Sequence, residues 1–526
     1  MPSSRPARWS LSAALTLATC GAPAPDAPPA AVAEPAPSPA PAPPAPPTDP
    51  TYASYLRARG LLDQALAAHG ELTGPLWWRA RGTIAIEGHY KKPYEVHSKA
   101  WEEVVERRDD AVLRRVKFDD KREGLTICNG ERGFFRDTGD PPTDQRSDVV
   151  RQCDALARAL PQQLLRRVRA HASSLRWLGE GDDGGVVHDV LAYADASGSA
   201  SLWLRRDDHR LARWERLVAH PQLGDAAESV RYADYREFAG VLLPARRIER
   251  WLHEDAADTR DVTLELVERV GHEDLAPAEA EAHWLTLAGT DAPPAPRPPA
   301  HVVALSPALF LVELPVEDSR AAFAVFDDFV VVLDAPLRSA AGEDLLAAVR
   351  AHAPDKEIRY AVFGHHHPHY SGGLRPLIHA GATIVTTAGN VPLIEDLARR
   401  PHALAPDALA REPRAPKFLV VASKHVFSDA SGHALELHDI GAYIEHTDSY
   451  LVYYSPRERL LIEGDLAFFP VTGEVPRAWP AALGLARAID TLGLDVAKIV
   501  QTWPLARQVQ VAERAKLDAI VAGARP

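Results

Sequence analysis

The stretch Gly364-His365-His366-His367-Pro368-His369-Tyr370-Ser371-Gly372-Gly373 constrains this chain more than any other. Four histidines fall within five positions. The apolar run from Ile358 to Phe363 predicts a buried strand just before them, and Leu374 to Ala380 predicts a helix just after. α/β folds carry ligand chemistry at such junctions between a strand end and a helix start. Neutral imidazoles are common ligands of zinc and related ions. In an extended segment side chains alternate, so His365 and His367 share one side while His366 faces the other.

The pattern resembles the first metal motif of the metallo-β-lactamase-like hydrolases, His-x-His-x-Asp-His with a glycine pair close behind. His365 and His367 match its first two histidines, and Gly372-Gly373 matches the glycines, which let the backbone pass closely. His369 stands where the family has Asp, and Tyr370 where it has the last His. Downstream, Ile444-Glu445-His446-Thr447-Asp448-Ser449 resembles the segment that supplies the third histidine of the first metal. A strand from Tyr450 to Tyr454, a turn at Ser455 to Glu458 and a strand from Arg459 to Glu463 lead to Gly464-Asp465. That pair resembles the strand-end aspartate that bridges two metals in the family. Upstream, Phe329 to Leu333 runs into Asp334-Ala335-Pro336, another shared segment. The last family histidine has no counterpart. After the predicted strand Val496 to Val500, Trp503 stands at its place, and no histidine follows His446.

The resemblance covers about residue 300 to the C-terminus and implies an α/β fold there, an αββα metallo-β-lactamase-like sandwich over residues 301–526. It implies a reduced site: His365, His367 and His446 holding one zinc-class ion, with Asp465 orienting a water or accepting its proton. His369 is either a replacement ligand or a residue supporting the ligands. Tyr370 is either a hydrogen-bond donor to a developing oxyanion or a packed core tyrosine. His352, His379, His402, His425, His433 and His438 read as ordinary surface or core residues.

At 526 residues the chain has room for two or three domains. A formal net charge of −13 argues against nucleic acid as a partner. After the N-terminus no run approaches the ~18 apolar residues of a spanning helix. Residues 1–20 resemble a lipoprotein signal: Arg5 and Arg8, a short apolar core from Trp9 to Ala18, then Leu17-Ala18-Thr19-Cys20, with Thr19 an unusual residue before the cysteine. That resemblance implies lipidation at Cys20 and an envelope location, outer membrane facing the periplasm. The other reading is an ordinary secretory signal or an uncleaved anchor. Residues 21–50 are nearly all Ala and Pro and read as an extended tether. Cys128 and Cys153 are either disulfide-bonded or two free thiols.

Residues 51–288 read as a β-rich α+β domain closed by a Pro-rich linker at 289–300. A helix is expected over Thr51 to His69, with Leu56, Leu62, Ala65 and Leu66 on its apolar face, and a second over Ser147 to Ala172. Strands such as Arg81 to Glu87, Ala111 to Lys117 and Val262 to Val267 alternate apolar and charged residues, as in a sheet with one wet face. Helix, strands and the segment Tyr232 to Pro244 are similar to periplasmic lipoprotein-carrier-like domains, a curved antiparallel sheet with a helix; a generic scaffold is the other reading. Trp77, Trp78, Trp203, Trp214 and Trp251 read as core or rim aromatics. Two functions follow. One is an exported metal-dependent hydrolase of an ester, amide or thioester in an unidentified small molecule. The other is a non-catalytic envelope binding or scaffold lipoprotein with a degenerate metal site.

Overall fold

The computed structural model describes residues 50–523, apart from 71, 73–75, 88–96, 109–110, 119–122, 130–131, 138–152, 196–197, 254–255, 271–297 and 473–477. The signal, Cys20 and the tether lie outside the described residues, as does most of the 289–300 linker. Asp49–Pro526 form one compact unit, rich in antiparallel β-structure, with several sheets and few helices. No described helix is long and apolar enough to cross a membrane.

Among the described residues the first sheet has twelve strands. From Leu76–Glu87 successive strands step outward to Arg132–Asp137 at one edge. The chain resumes at the other edge with Arg176–Asp183 and steps inward until Ala256–Arg269 pairs antiparallel with Leu76–Glu87. Gly224–Phe238 shows the two-residue period behind this sheet: Ala226, Glu228, Val230 and Tyr232 are buried and the residues between them face outward. The helices Pro50–His69 and Pro161–Ala170 cover that buried face, packing Ala58, Leu62, Ala65, Leu164, Leu165 and Val168 against Leu202, Leu211, Trp214 and Val230.

Two expectations here need revision, and one alternative left open is resolved. Leu56 is half exposed and Ala58 is buried in its stead, so the inward stripe runs Ala58, Leu62, Ala65. Small residues at both ends of that stripe let the helix lie close to the sheet. The expected helix over Ser147 to Ala172 is helical at 153–158 and again at Pro161–Ala170, with 147–152 outside the described residues. Pro161 begins the second helix, where its fixed φ and missing N–H are tolerated. Cys128 and Cys153 form a disulfide across 25 residues, joining the strand Glu123–Asn129 to the helical segment.

Within the same face, Glu228 is buried and accepts from Arg158 Nη2 at 2.8 Å and from Arg216 Nε at 2.7 Å. A buried carboxylate survives there because two guanidiniums replace its water.

The second sheet has seven strands and the third six. In the second, His301–Ala304, Leu309–Leu314 and Ser319–Val325 run antiparallel into Phe329–Leu333. Then Glu357–Val362, Thr383–Thr386 and Lys417–Val420 follow in parallel. Parallel neighbours need crossovers, and the helices Ser339–His352, Leu374–His379 and Val391–Arg399 lie within those crossovers. The continuous apolar run Val330 to Leu333 is fully buried, as a strand covered on both faces requires. The third sheet comprises Lys424–Ser428, Ala434–Asp439, Leu451–Ser455, Leu460–Glu463, Lys498–Gln501 and Ala512–Glu513.

One core cluster joins the two sheets: Leu311, Ala322, Val331, Leu333 and Val362 meet Leu437, Tyr453, Ile462 and Val500. A second packs the crossover helices on the second sheet through Leu345, Val349, Leu377 and Ile394. A third packs Pro480–Thr491 and Arg514–Ala522 on the third sheet through Leu485, Ile489, Leu517 and Ile520. The turn between Leu211–His220 and Gly224–Phe238 touches this half. Asp225 accepts from the N–H groups of Ala403 and Leu404 at 2.7 and 3.0 Å, and donates its own N–H to Pro401 O at 2.8 Å.

Candidate metal centre

Several strands of the second and third sheets end together, and the candidate residues sit on those ends. Phe329–Leu333 ends at Asp334, Glu357–Val362 runs into His365, and Leu460–Glu463 runs into Asp465.

Asp334 ties the ends together. Its Oδ1 accepts the Gly364 N–H at 3.0 Å and the Tyr453 hydroxyl at 2.6 Å, and its Oδ2 accepts from Thr502 Oγ1 at 3.4 Å. Its φ of 62° is left-handed, a region open to Asp among non-glycine residues. Burial pushes the Asp334 carboxyl up to about 7, against the hydrogen bonds it receives.

His367 then starts the short helix Pro368–Ser371, which lies on the loop after Asp334. Ala335 N donates to Tyr370 O and Gly373 N to Ala335 O, at 2.9 and 2.8 Å. A Cβ at Gly372 would meet Leu337 O at 2.4 Å, so the glycine serves this backbone contact. His446 lies on the loop joining Ala434–Asp439 to Leu451–Ser455. Asp439 Oδ1 closes that loop by accepting from Gly441 N and Tyr450 N at 3.0 and 3.1 Å.

These supports bring His365, His367, His446 and Asp465 together, with one ligand atom from each lying within 4.8 Å of the others. His365 Nε2 is 2.8 Å from His367 Nδ1, 3.2 Å from His446 Nε2 and 3.7 Å from Asp465 Oδ1. Asp465 Oδ2 is 3.4 Å from His367 Nδ1 and 3.3 Å from His446 Nε2. A tetrahedral ion with bonds of ~2.05 Å has ligand-to-ligand edges of about 3.3 Å. These spacings suit a divalent transition ion held by the three imidazoles with Asp465 beside its fourth position, and three imidazoles suit zinc better than magnesium or calcium.

His365 is fully buried between two tyrosine rings, with Tyr450 stacked at 4.4 Å and Tyr370 tilted at 4.4 Å. Its Nδ1 has no partner among the described residues, and burial lowers its proton affinity well below the ordinary histidine value. Burial opposes the charged form of Asp465, yet the surrounding imidazoles hold its carboxyl well below the usual range.

Tyr450 is the supporting residue that sequence reading passes over. Its hydroxyl donates to Asp465 Oδ1 at 3.1 Å and accepts the N–H groups of Gly464 and Asp465 at 3.0 and 3.1 Å. Gly464 permits that approach: a Cβ there would lie 2.5 Å from Tyr450 Oη and 2.7 Å from Tyr370 Cζ.

His369 is not among the converging donors. Its ring lies 4.5 Å from that of Trp503, and burial lowers its pKa to about 4. Tyr370 is 1% exposed, its hydroxyl has no hydrogen-bond partner among the described residues, and its ring packs on His365. Trp503 follows the strand Lys498–Gln501 and donates its N–H to Gly464 O at 3.2 Å.

No protein-family profile matches the chain, and no curated protein does. Solved structures do. A metallo-beta-lactamase from Pontibacter korlensis is 14% identical, covering 43% of this chain and 98% of that one, with a TM-score of 0.32. A metallo-beta-lactamase from Pseudomonas aeruginosa in its mono-zinc form is 17% identical, covering 43% and 95%, with a TM-score of 0.30. A LolA superfamily protein from Nitrosomonas europaea is 12% identical, covering 42% and 98%, with a TM-score of 0.29.

Proposed function

We propose that this protein is an exported metal-dependent hydrolase that holds one zinc-class ion on His365, His367 and His446. The observation that carries this reading is the convergence of three imidazoles and one carboxylate on a single point, supported by the contacts of Asp334, Asp439 and Tyr450. An ion bound there supplies Lewis acidity and makes water acidic enough to attack near neutral pH.

The remaining chemistry belongs to the chain. Asp465 Oδ2 orients the attacking water and takes its proton, while Oδ1 stays on the Tyr450 hydroxyl. Hydrolysis joins the water oxygen to the carbonyl carbon and breaks the bond to the leaving oxygen, nitrogen or sulfur. The proton held at Asp465 passes to that leaving group. Among the described residues no second group of three or more His, Cys, Asp or Glu converges beside the first, and His369 packs on Trp503, which favours one ion over two. The reading calls for an αββα arrangement over residues 301–526, and the core shared by the second and third sheets, with helices packed on each, supports it. Zinc titration followed by ester, amide and thioester assays tests it; activity that survives complete loss of the ion would refute it.

For location, the lipoprotein-like box at Cys20 and the Ala/Pro tether support a lipid-anchored envelope protein, with the twelve-stranded sheet as a carrier-like domain. Palmitate labelling that persists in Cys20→Ala would overturn the anchor. A non-catalytic envelope lipoprotein is the second reading, favoured by the replacement of family ligands at His369, Tyr370 and Trp503.

A further inference from the structure

Beside the metal centre lies an open cavity of about 330 Å³ lined by Phe468, Pro470, Trp503, Pro504 and Gln508. Its position follows from the chain path. Trp503 is held on Gly464 O, next to Asp465, and its indole covers His369, two residues after His367. Phe468 follows Asp465 by three residues, so the two lie within about 11 Å of each other even on a fully extended chain. The Phe468 ring is 6.5 Å from that of Trp503.

The two segments that form the walls are fixed to each other. Pro470 pairs with Gln508, Val509 N donates to Phe469 O at 2.8 Å, and Val471 N donates to Arg507 O at 2.8 Å. Among the described residues no charged side chain lines the cavity. Of the described lining residues Gln508 alone has a polar amide or charged group, and its buried Oε1 accepts no hydrogen bond from the described residues. Apolar rings open to water favour an apolar occupant, because burying both surfaces together is favourable.

We infer that this cavity receives a hydrocarbon chain or ring adjoining the scissile bond. The substrate is then an ester, amide or thioester with an uncharged apolar group on that side. The reaction part of this inference rests on the hydrolase reading; the binding part does not.

The test uses the zinc-loaded full chain and two ester series, p-nitrophenyl esters from acetate to decanoate and alkyl acetates from ethyl to octyl. In at least one series kcat/KM rises with chain length. The ratio of longest to shortest falls about tenfold in Phe468→Ala and in Trp503→Ala, the equivalent of roughly two buried methylenes. Trp503→Phe keeps most of that ratio. Series that are both flat, or variants that lower every member equally, overturn the inference.

Calorimetric binding of octanamide against acetamide, with zinc content measured on the same samples, gives a readout without turnover. Octanamide binding that weakens in Phe468→Ala at unchanged zinc content supports the cavity even where no ester is hydrolysed, and then the hydrolase reading alone fails. Wild-type protein that binds octanamide no better than acetamide overturns the inference.

Discussion

Tyr450 holds Asp465 in place: its hydroxyl donates to Asp465 Oδ1 at 3.1 Å while accepting the N–H groups of Gly464 and Asp465. The same ring stacks at 4.4 Å on His365. One side chain thus orients both an imidazole and the carboxylate of the candidate centre.

Tyr450→Phe keeps the stacking ring and removes the hydroxyl. Two buried N–H groups lose their acceptor, which costs about 1–3 kcal/mol. Asp465 loses its orienting donor, and zinc affinity should fall roughly 10- to 100-fold. Thermal unfolding and competitive zinc titration read the two effects separately.

Gly464→Ala places a Cβ 2.5 Å from Tyr450 Oη and 2.7 Å from Tyr370 Cζ, both in fully buried side chains. Overpacking of this kind costs about 1–3 kcal/mol, and the displaced Tyr450 should weaken zinc binding as well. Gly60→Ala is the control. It lies in the helix Pro50–His69 with nothing within 4 Å of the added Cβ, so it should stabilise by roughly 0.5–1 kcal/mol.

Asp334 provides a pH test. Its folded pKa is raised to about 7, whereas the unfolded carboxyl titrates near its ordinary value of 3.8. Between those values the native state binds more protons than the unfolded state, so stability falls as pH rises through the window. The slope is at most about 1.4 kcal/mol per pH unit. Asp334→Asn can still accept from Tyr453 and Gly364 and tolerates the left-handed backbone, and it should remove this slope. Urea melts of metal-stripped protein from pH 4 to 8 check it; equal slopes in the two proteins would rule out Asp334 as the source.

The ligand positions were legible because each sits at a sequence signal: a strand end, a glycine pair, or an isolated histidine before a strand. Their supports carry no such signal. Tyr450 stands one residue before the strand Leu451–Ser455 and Asp439 ends the strand Ala434–Asp439. Their roles depend on which strand ends meet, a tertiary fact. The same holds in the first sheet. The pattern showed an amphipathic helix over Thr51 to His69, but the face that turns inward was set by how closely Ala58 and Ala65 approach the sheet.

Glu228 probes that sheet independently. Glu228→Ala leaves the buried Arg158 and the partly buried Arg216 without their shared carboxylate, although Asp154 still lies 3.8 and 3.7 Å from them. Destabilisation should therefore be about 3 kcal/mol, near the low end for breaking a buried pair. Glu228→Gln should cost less, because its amide oxygen can still accept from one arginine. Chemical denaturation of the three proteins ranks them.

Zinc content and hydrolysis measured together on wild type, His446→Ala, Asp465→Asn and His366→Ala test the central claim most directly. The account predicts about one ion and full activity in wild type and in His366→Ala, whose residue stands outside the converging donors. It predicts loss of both ion and activity in His446→Ala, and retained ion with reduced turnover in Asp465→Asn. Wild-type activity in both His446→Ala and Asp465→Asn would contradict it.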